Sequence, residues 1–180
     1  MAMPAPRIDT ERLVLRPPTA QDFEAWAAFQ ADPVAMAFMG GARSRAQAWR
    51  HFIAAVGAWV VQGHSLFSII ERESRQWIGT TGAWQPEGWA GLEVGWCIAR
   101  RFQRRGYALE AAGAARDWAF AHLQVDEVVH YIPPGHDASR AVATRLGSQC
   151  RQRVDMPEPF AGTEVELWSQ SRRDWQAARP

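Results

Sequence analysis

The sequence predicts a single mixed α+β domain, and three observations carry that prediction. Segments rich in β-formers and segments of helical apolar spacing follow one another in the order β, α, α, β, β, β, α, β, α, β, β. At 180 residues, of which 47% are hydrophobic, the chain is long enough for one domain with a substantial core. No linker, internal repeat or low-complexity stretch divides it, so one domain is expected over residues 1–180 with its core in 10–175.

The first strand is "RLVLRPPT", which alternates apolar and polar residues from Leu13 and stops at Pro17 and Pro18. Thr19, with Asp22 three residues on, has the form of a helix cap, and the following helix places Phe23, Trp26 and Ala27 on one face. "MGGARSR" breaks the chain. Ser44 then caps a second helix with Trp49, Phe52, Ile53, Val56 and Val60 at helical spacing and Gly63 as its stop. "SLFSIIER", "QWIGTTGAWQP" and "GLEVGWCIAR" read as an antiparallel meander, each short and set off by polar or Gly/Pro connections. Gly106 opens a helix that runs to Leu123, and "EVVHYIPP" is the fifth strand. "DASRAVATRLG" is a helix closed by Gly147, and "CRQRVDMP" pairs with "TEVELWSQSR" as a final hairpin.

Composition excludes several function classes. A net charge of +1 and a pI near 7.9 give no global basic field for nucleic acid, so charge has to be read locally. The N-terminal "MAMPAPR" has no apolar region of signal-peptide type, and no run of about 18 apolar residues is present to span a bilayer. A cytoplasmic protein without a membrane partner is expected. Cys97 and Cys150 form no C-x-x-C pair, and the five histidines show no ligand spacing, so no metal is expected. All 20 basic residues are Arg, and neither Lys nor Asn occurs, which reads as compositional bias. The ten tryptophans follow no repeat and read as core and edge filling.

One stretch resists that bland reading. Arg100, Arg101, Arg104 and Arg105 crowd before Gly106 at the mouth of the third helix, where the macrodipole already disfavours cations. Gly106 permits an unusual φ or a close approach, and the first amides of a helix have no internal acceptors. Strand, turn and helix N-terminus together make a nest of N–H donors suited to phosphate. Neither G-x-x-x-x-G-K-[ST] nor G-x-G-x-x-G occurs, so this is neither a Walker loop nor a dinucleotide fingerprint. Taken alone, a solvated, charged turn accounts for these residues equally well.

The surroundings add to it. "QRRGYA" matches the Q/R-x-x-G-x-G/A signature of the GNAT superfamily of N-acetyltransferases, and the order of elements resembles that fold from end to end. "TERLVLRP", "ADPVAM", "WIGTTG", "LEVGW", "GYALEAAGAARDWAF" and "ASRAVATRLG" resemble, in order, the ribosomal-protein N-acetyltransferase (RimJ/RimL-type) branch. The resemblance covers roughly Thr10 to Trp175. It implies a mostly antiparallel sheet of about seven strands, with helices on both faces and the fourth and fifth strands splayed apart.

The same resemblance implies acetyl-CoA as acetyl donor, with CoA as product. The pantetheine arm would lie along Cys97, Ile98, Ala99 and Arg100. The phosphates would sit on Gln103, Arg104, Arg105, Gly106, Tyr107 and Ala108, with Leu109 next. The second wall of the site is "HDAS", with His136 where this branch usually has Asn and Ser139 where it has Ser. Many relatives carry a Tyr four residues later as acid for the leaving thiolate. Ala143 stands there in this chain, which leaves Ser139 as the nearest candidate for that role.

Acetyl transfer needs a neutral amine, a polarised thioester carbonyl and a proton for the thiolate. A lysine-type amine has a pKa of ~10.4 and an α-amine ~8, so deprotonation at pH 7 costs about 4.6 or about 1.4 kcal/mol. By resemblance Glu93 is the general base, with a structural strand glutamate as the competing assignment. Carbonyl polarisation would come from a main-chain N–H near Cys97 to Ala99. Cys97 shares a strand face with Glu93 but lacks an evident histidine partner as a nucleophile.

Acceptor selection is expected in "PVAMAFMGGARSR" and "DMPEPFAGT", where Met36, Phe38, Met39 and Phe160 either line a pocket or pack. The acceptor stays open among a protein N-terminal α-amine, a polyamine or aminoglycoside-like amine, and an amino-acid derivative. Homodimers are common among similar proteins. The alternatives are a catalytically silent acyl-CoA-binding module and, against the near-neutral charge, a nucleic-acid binder.

Overall fold

In the computed structural model, residues 6–178 are described apart from 90 and 159. The first five residues of "MAMPAPR" and Pro159 of "DMPEPFAGT" therefore lie outside the described residues. The strands are β1 (Ile8–Asp9), β2 (Leu13–Arg16), β3 (Leu66–Glu71), β4 (Trp77–Trp84), β5 (Glu93–Ile98), β6 (Glu127–Ile132), β7 (Gln149–Asp155) and β8 (Glu164–Ser171). The helices are α1 (Phe23–Ala31), α2 (Arg45–Val61), α3 (Tyr107–His122), α4 (Asp137–Leu146) and α5 (Arg172–Ala177). All eight strands form one sheet in the order β1-β2-β3-β4-β5-β6-β8-β7. Every neighbouring pair is antiparallel except β5 and β6.

The predicted seven strands, in order, are β2 to β8. The eighth, β1, is only two residues long and pairs Ile8 with Leu15 and Asp9 with Val14. So short a segment carries no alternation that a sequence can display. Helix α5 was also unanticipated, although its signal is present: the Ser171 hydroxyl accepts from the Asp174 amide, a serine cap three residues before an acid.

Strand parity divides the core. Leu13 and Leu15 of β2, Phe67 and Ile69 of β3, Ile78 of β4 and Ile98 of β5 pack under α3. On the opposite face, Trp26 and Phe29 of α1 and Phe52 of α2 enclose Trp77. A third cluster joins Val94 and Val128 to Phe120 of α3 and Trp175 of α5. Helices therefore cover both faces, and the start of α1 is fastened to the sheet by Asp22. Its buried carboxylate accepts from Arg16 at 2.6 and 2.7 Å, from the Thr19 amide at 2.8 Å and from Ser68 Oγ at 2.9 Å.

Candidate active site

The sheet opens between its two parallel strands. The register pairs Thr80 with Cys97 and Trp84 with Glu93, and the Ala99 amide donates to Ile78 O at 2.7 Å. Odd-numbered residues of β5 therefore exchange main-chain hydrogen bonds with β4, while even-numbered residues turn theirs towards β6. The ladder with β6 has a single register pair, Glu93 with Val129, and the Val129 amide donates to Leu92 O at 2.9 Å. Past that pair the strands part, leaving the Trp96 N–H and C=O and the Ile98 N–H on the open edge of β5. The Ile98 carbonyl accepts from Gln103 Nε2 at 2.9 Å, so the glutamine of "QRRGYA" ties the turn to the strand end.

At the turn, Gly106 has φ +83° and ψ −1°, the left-handed conformation that a side chain disfavours. It is the N-cap of α3, and among the described residues the amides of Gly106, Tyr107, Ala108 and Leu109 have no acceptor. Four N–H groups and the positive end of the helix dipole thus face the same mouth. The Tyr107 side chain does not: its ring is buried, and its hydroxyl donates to Glu71.

The four arginines divide by partner. Arg100 lies 3.6 Å from Asp32, Arg101 donates to Gln76 Oε1 at 2.7 Å, and Arg105 stands over the Phe102 ring at 5.6 Å. Arg104, exposed and at φ +62°, has no side-chain partner among the described residues. Behind the turn, Arg12 bonds Glu110 Oε2 at 2.7 Å and the Arg105 carbonyl at 2.8 Å, and Thr10 Oγ1 bonds Glu110 Oε1 at 2.6 Å.

The opposite wall is the end of β6 and the start of α4. His136 is the N-cap of α4, its Nδ1 accepting from the Ser139 amide at 3.4 Å. Its ring stacks on Phe38 with centroids 4.2 Å apart. The Ser139 hydroxyl is half-buried with no partner among the described residues, and Ala143 is fully buried. Phe38 belongs to the segment after α1, and its neighbour Met39 brings Sδ to 3.3 Å from Cys97 Sγ. Two consecutive residues therefore bridge the two walls. The segment is fastened by Arg43, whose amide donates to Gln30 O at 2.7 Å and whose guanidinium reaches the Gln30 side-chain oxygen at 3.1 Å. Met36, by contrast, is core, and Phe160 is half-buried in the connection from β7 to β8.

Glu93 lies on the α1/α2 face at the base of the opening. Burial pushes its carboxyl up to about 7, while the Tyr131 backbone N–H, hydrogen-bonding the carboxylate, pulls the other way. Cys97 shares that face, but burial pushes its thiol up to about 11, which keeps it protonated at neutral pH and removes its appeal as a nucleophile. A groove of about 320 Å³ runs past the strand starts, lined in part by Gly91, Leu92, Val129, Tyr131 and Leu167. Trp89 packs edge-on against Tyr131 at 5.1 Å.

The structure thus gathers Glu93, Ile98, Gln103 to Leu109, His136 and Ser139 around one opening. The Cys97 amide faces β4 and the Ala99 amide is engaged with Ile78, whereas Trp96, absent from the expected residues, presents its main chain to the gap. The parity of β5 could have identified Trp96, given the direction of one hydrogen bond. Among the described residues no cluster of His, Cys, Asp or Glu is placed to hold a metal ion, and no helix is long and apolar enough to cross a membrane.

Comparison with known proteins fits this geometry. The acetyltransferase (GNAT) domain family matches residues 12–149. The crystal structure of an acetyltransferase from Agrobacterium tumefaciens is 31% identical, with a TM-score of 0.83 over 96% of this chain and 98% of that one. Ribosomal-protein-S5-alanine acetyltransferase from Vibrio fischeri shares the fold at 18% identity, with a TM-score of 0.75 over 97% and 99% of the two chains. The YkkB protein of Bacillus subtilis is 34% identical over 87 residues, 47% of this chain, and the match spans about half the length of that relative, 51%.

Proposed function

The chain belongs to the acetyltransferase (GNAT) family, and from that premise we propose that it moves an acetyl group from acetyl-CoA to a primary amine by direct attack in a ternary complex. The observation that carries the reading is the opening of β5 from β6, with main-chain groups along one edge and four amides at its mouth that are unpaired among the described residues.

The residues present fit the donor. Trp96 and Ile98 offer N–H groups to the pantetheine arm and the thioester carbonyl, and Gly106 to Leu109 offer theirs to the pyrophosphate. Arg104 adds an exposed positive charge. His136 and Ser139 line the pantetheine from the other wall. When bound, acetyl-CoA supplies an activated acyl carbonyl.

Glu93 takes the proton of the attacking amine. With its carboxyl at about 7, accepting a proton from an α-ammonium of ~8 costs about 1.4 kcal/mol, against about 4.6 for an ammonium of ~10.4. The site is therefore matched more closely to an α-amine, as on a protein N-terminus, than to a lysine-type or polyamine nitrogen. Ser139, in the first turn of α4, supplies a hydroxyl on the second wall for the departing sulfur.

A specific observation favours a second reading, a silent acyl-CoA-binding module: Ala143 is buried where relatives place an acid, and His136 holds Phe38 across the opening. Calorimetry with acetyl-CoA, followed by thiol release against amines and short peptides, separates the two. Binding with turnover is expected. Binding without turnover over the whole panel establishes the silent module, and no binding overturns both.

A further inference from the structure

We infer that His130 is a positioning residue whose imidazole, by occupying the Val94 carbonyl, stops β5 and β6 from zipping together. The inference rests on reading the opening as the acetyl-CoA site.

In a parallel ladder, a residue donates to one partner residue and accepts from the next but one. Val129 donates to Leu92, so the next rung would run from the Tyr131 N–H to the Val94 carbonyl and from the Trp96 N–H to the Tyr131 carbonyl. That rung is missing. The Val94 carbonyl instead meets His130 Nδ1 at 2.7 Å, and His130 Nε2 meets Ser148 Oγ at 2.9 Å. Ser148 is itself fixed just beyond α4, its amide donating to Ala143 O at 3.0 Å.

The chemistry of these contacts settles the tautomer. A carbonyl only accepts, so Nδ1 carries the proton and Nε2 accepts from the Ser148 hydroxyl. The ring is 2% exposed and the Trp96 ring tilts against it at 5.0 Å. Burial holds the imidazole neutral, down to about 4, with the Arg116 guanidinium of α3 acting in the same direction. Arg116 is itself engaged with Asp117 and with the Leu146 carbonyl.

The consequence depends on one hydrogen bond. The ring nitrogen stands 2.7 Å from the Val94 carbonyl, on the edge of β5 from which the Tyr131 amide would donate, so the imidazole takes the place of the rung. Without the ring, a buried carbonyl lacks that donor, and the nearest replacement is the Tyr131 amide. The strands would close by one rung, and the Trp96 edge would be lost to the cofactor.

The test compares His130→Phe, which keeps a ring but has no donor, with His130→Asn, whose Nδ2 stands where His Nδ1 does. His130→Phe is expected to weaken acetyl-CoA binding at least tenfold and to slow hydrogen exchange at the Trp96 amide at least tenfold. His130→Asn should keep both within threefold of native values. A folded His130→Phe protein with native affinity and native exchange at the Trp96 amide overturns the inference.

Should that variant not fold, imidazole ¹⁵N shifts of the native protein decide. The neutral Nδ1–H tautomer at pH 7 is expected, and an Nε2–H ring or an imidazolium overturns it. This measurement, with fast hydrogen exchange at the Trp96 amide, needs no cofactor. A native protein that fails to bind acetyl-CoA therefore defeats the functional reading while His130 is still judged.

Discussion

The wall at the end of β5 presents main-chain amides, whereas the wall at the end of β6 presents side chains. On the first wall the Gly106 turn and the β5 edge offer N–H groups whose direction follows from backbone conformation, and three of the four arginines are occupied elsewhere. On the second, His130, His136 and Ser139 act through ring nitrogens and a hydroxyl, and a contact from a distant segment orients each of the two imidazoles. Glu93 sits at the hinge between them. A main-chain wall tolerates side-chain change and fails when a dihedral is denied. A side-chain wall fails when one partner is removed.

The largest expected effect is at that hinge. Glu93→Gln should lower kcat/KM for an amine acceptor by ~10² to 10⁴ while leaving acetyl-CoA affinity unchanged, and should abolish the ionisation near pH 7 in the rate profile. Unchanged turnover in that variant would remove Glu93 as the base.

Next comes the dependence of stability on pH. Burial lowers His51 and His130 from 6.5 to about 4, so the unfolded chain binds more protons and stability falls as pH drops below 6.5. Glu93 runs the other way: raised from 4.5 to about 7, it contributes stability at low pH that is lost as pH rises through 7. Between pH 8 and pH 5 the two histidines together withdraw about 4 kcal/mol and Glu93 restores about 2–3. Urea unfolding at the two pH values should therefore show a loss of about 1–2 kcal/mol for the native protein and about 4 for Glu93→Gln. Equal losses would mean that Glu93 titrates as an ordinary exposed carboxyl.

Two smaller effects probe the main-chain wall. Gly106→Val forces a β-branched residue into the left-handed region, with its Cβ 3.3 Å from Arg12 Nη2, and should cost about 1–2 kcal/mol of stability and roughly tenfold in acetyl-CoA affinity. Native affinity in that variant would show that the turn is not the grip. Arg104→Ala should change affinity by less than about twofold at 0.15 M salt, since an exposed charge is screened. A tenfold loss would transfer the grip from amides to side chains.

The elements were legible where their signals are local. Ser44 before α2, through its hydroxyl, and Gly106 before α3 and Gly147 after α4, through the left-handed conformation that the lack of a Cβ permits, announce helix ends. The alternation of Leu13 to Arg16 shows which face of β2 is buried. The resemblance to known acetyltransferases supplied Glu93, His136 and Ser139 as positions to watch, and their convergence on one opening follows from the strand order. The arginine cluster read as a unit in sequence, yet Arg100, Arg101 and Arg105 each found a different neighbour once the chain folded.

By itself, then, the sequence determined the kind and order of the elements other than β1 and α5, and the place of the turn at Gly106, since these depend on residues within a few positions of one another. Only the tertiary structure decided that Trp96 rather than Cys97 shows its amide to the gap, that His130 replaces a rung of the ladder, and that Phe38 meets His136. Register and partner choice are contacts between segments tens of residues apart, and no local pattern encodes which carbonyl a buried imidazole will find.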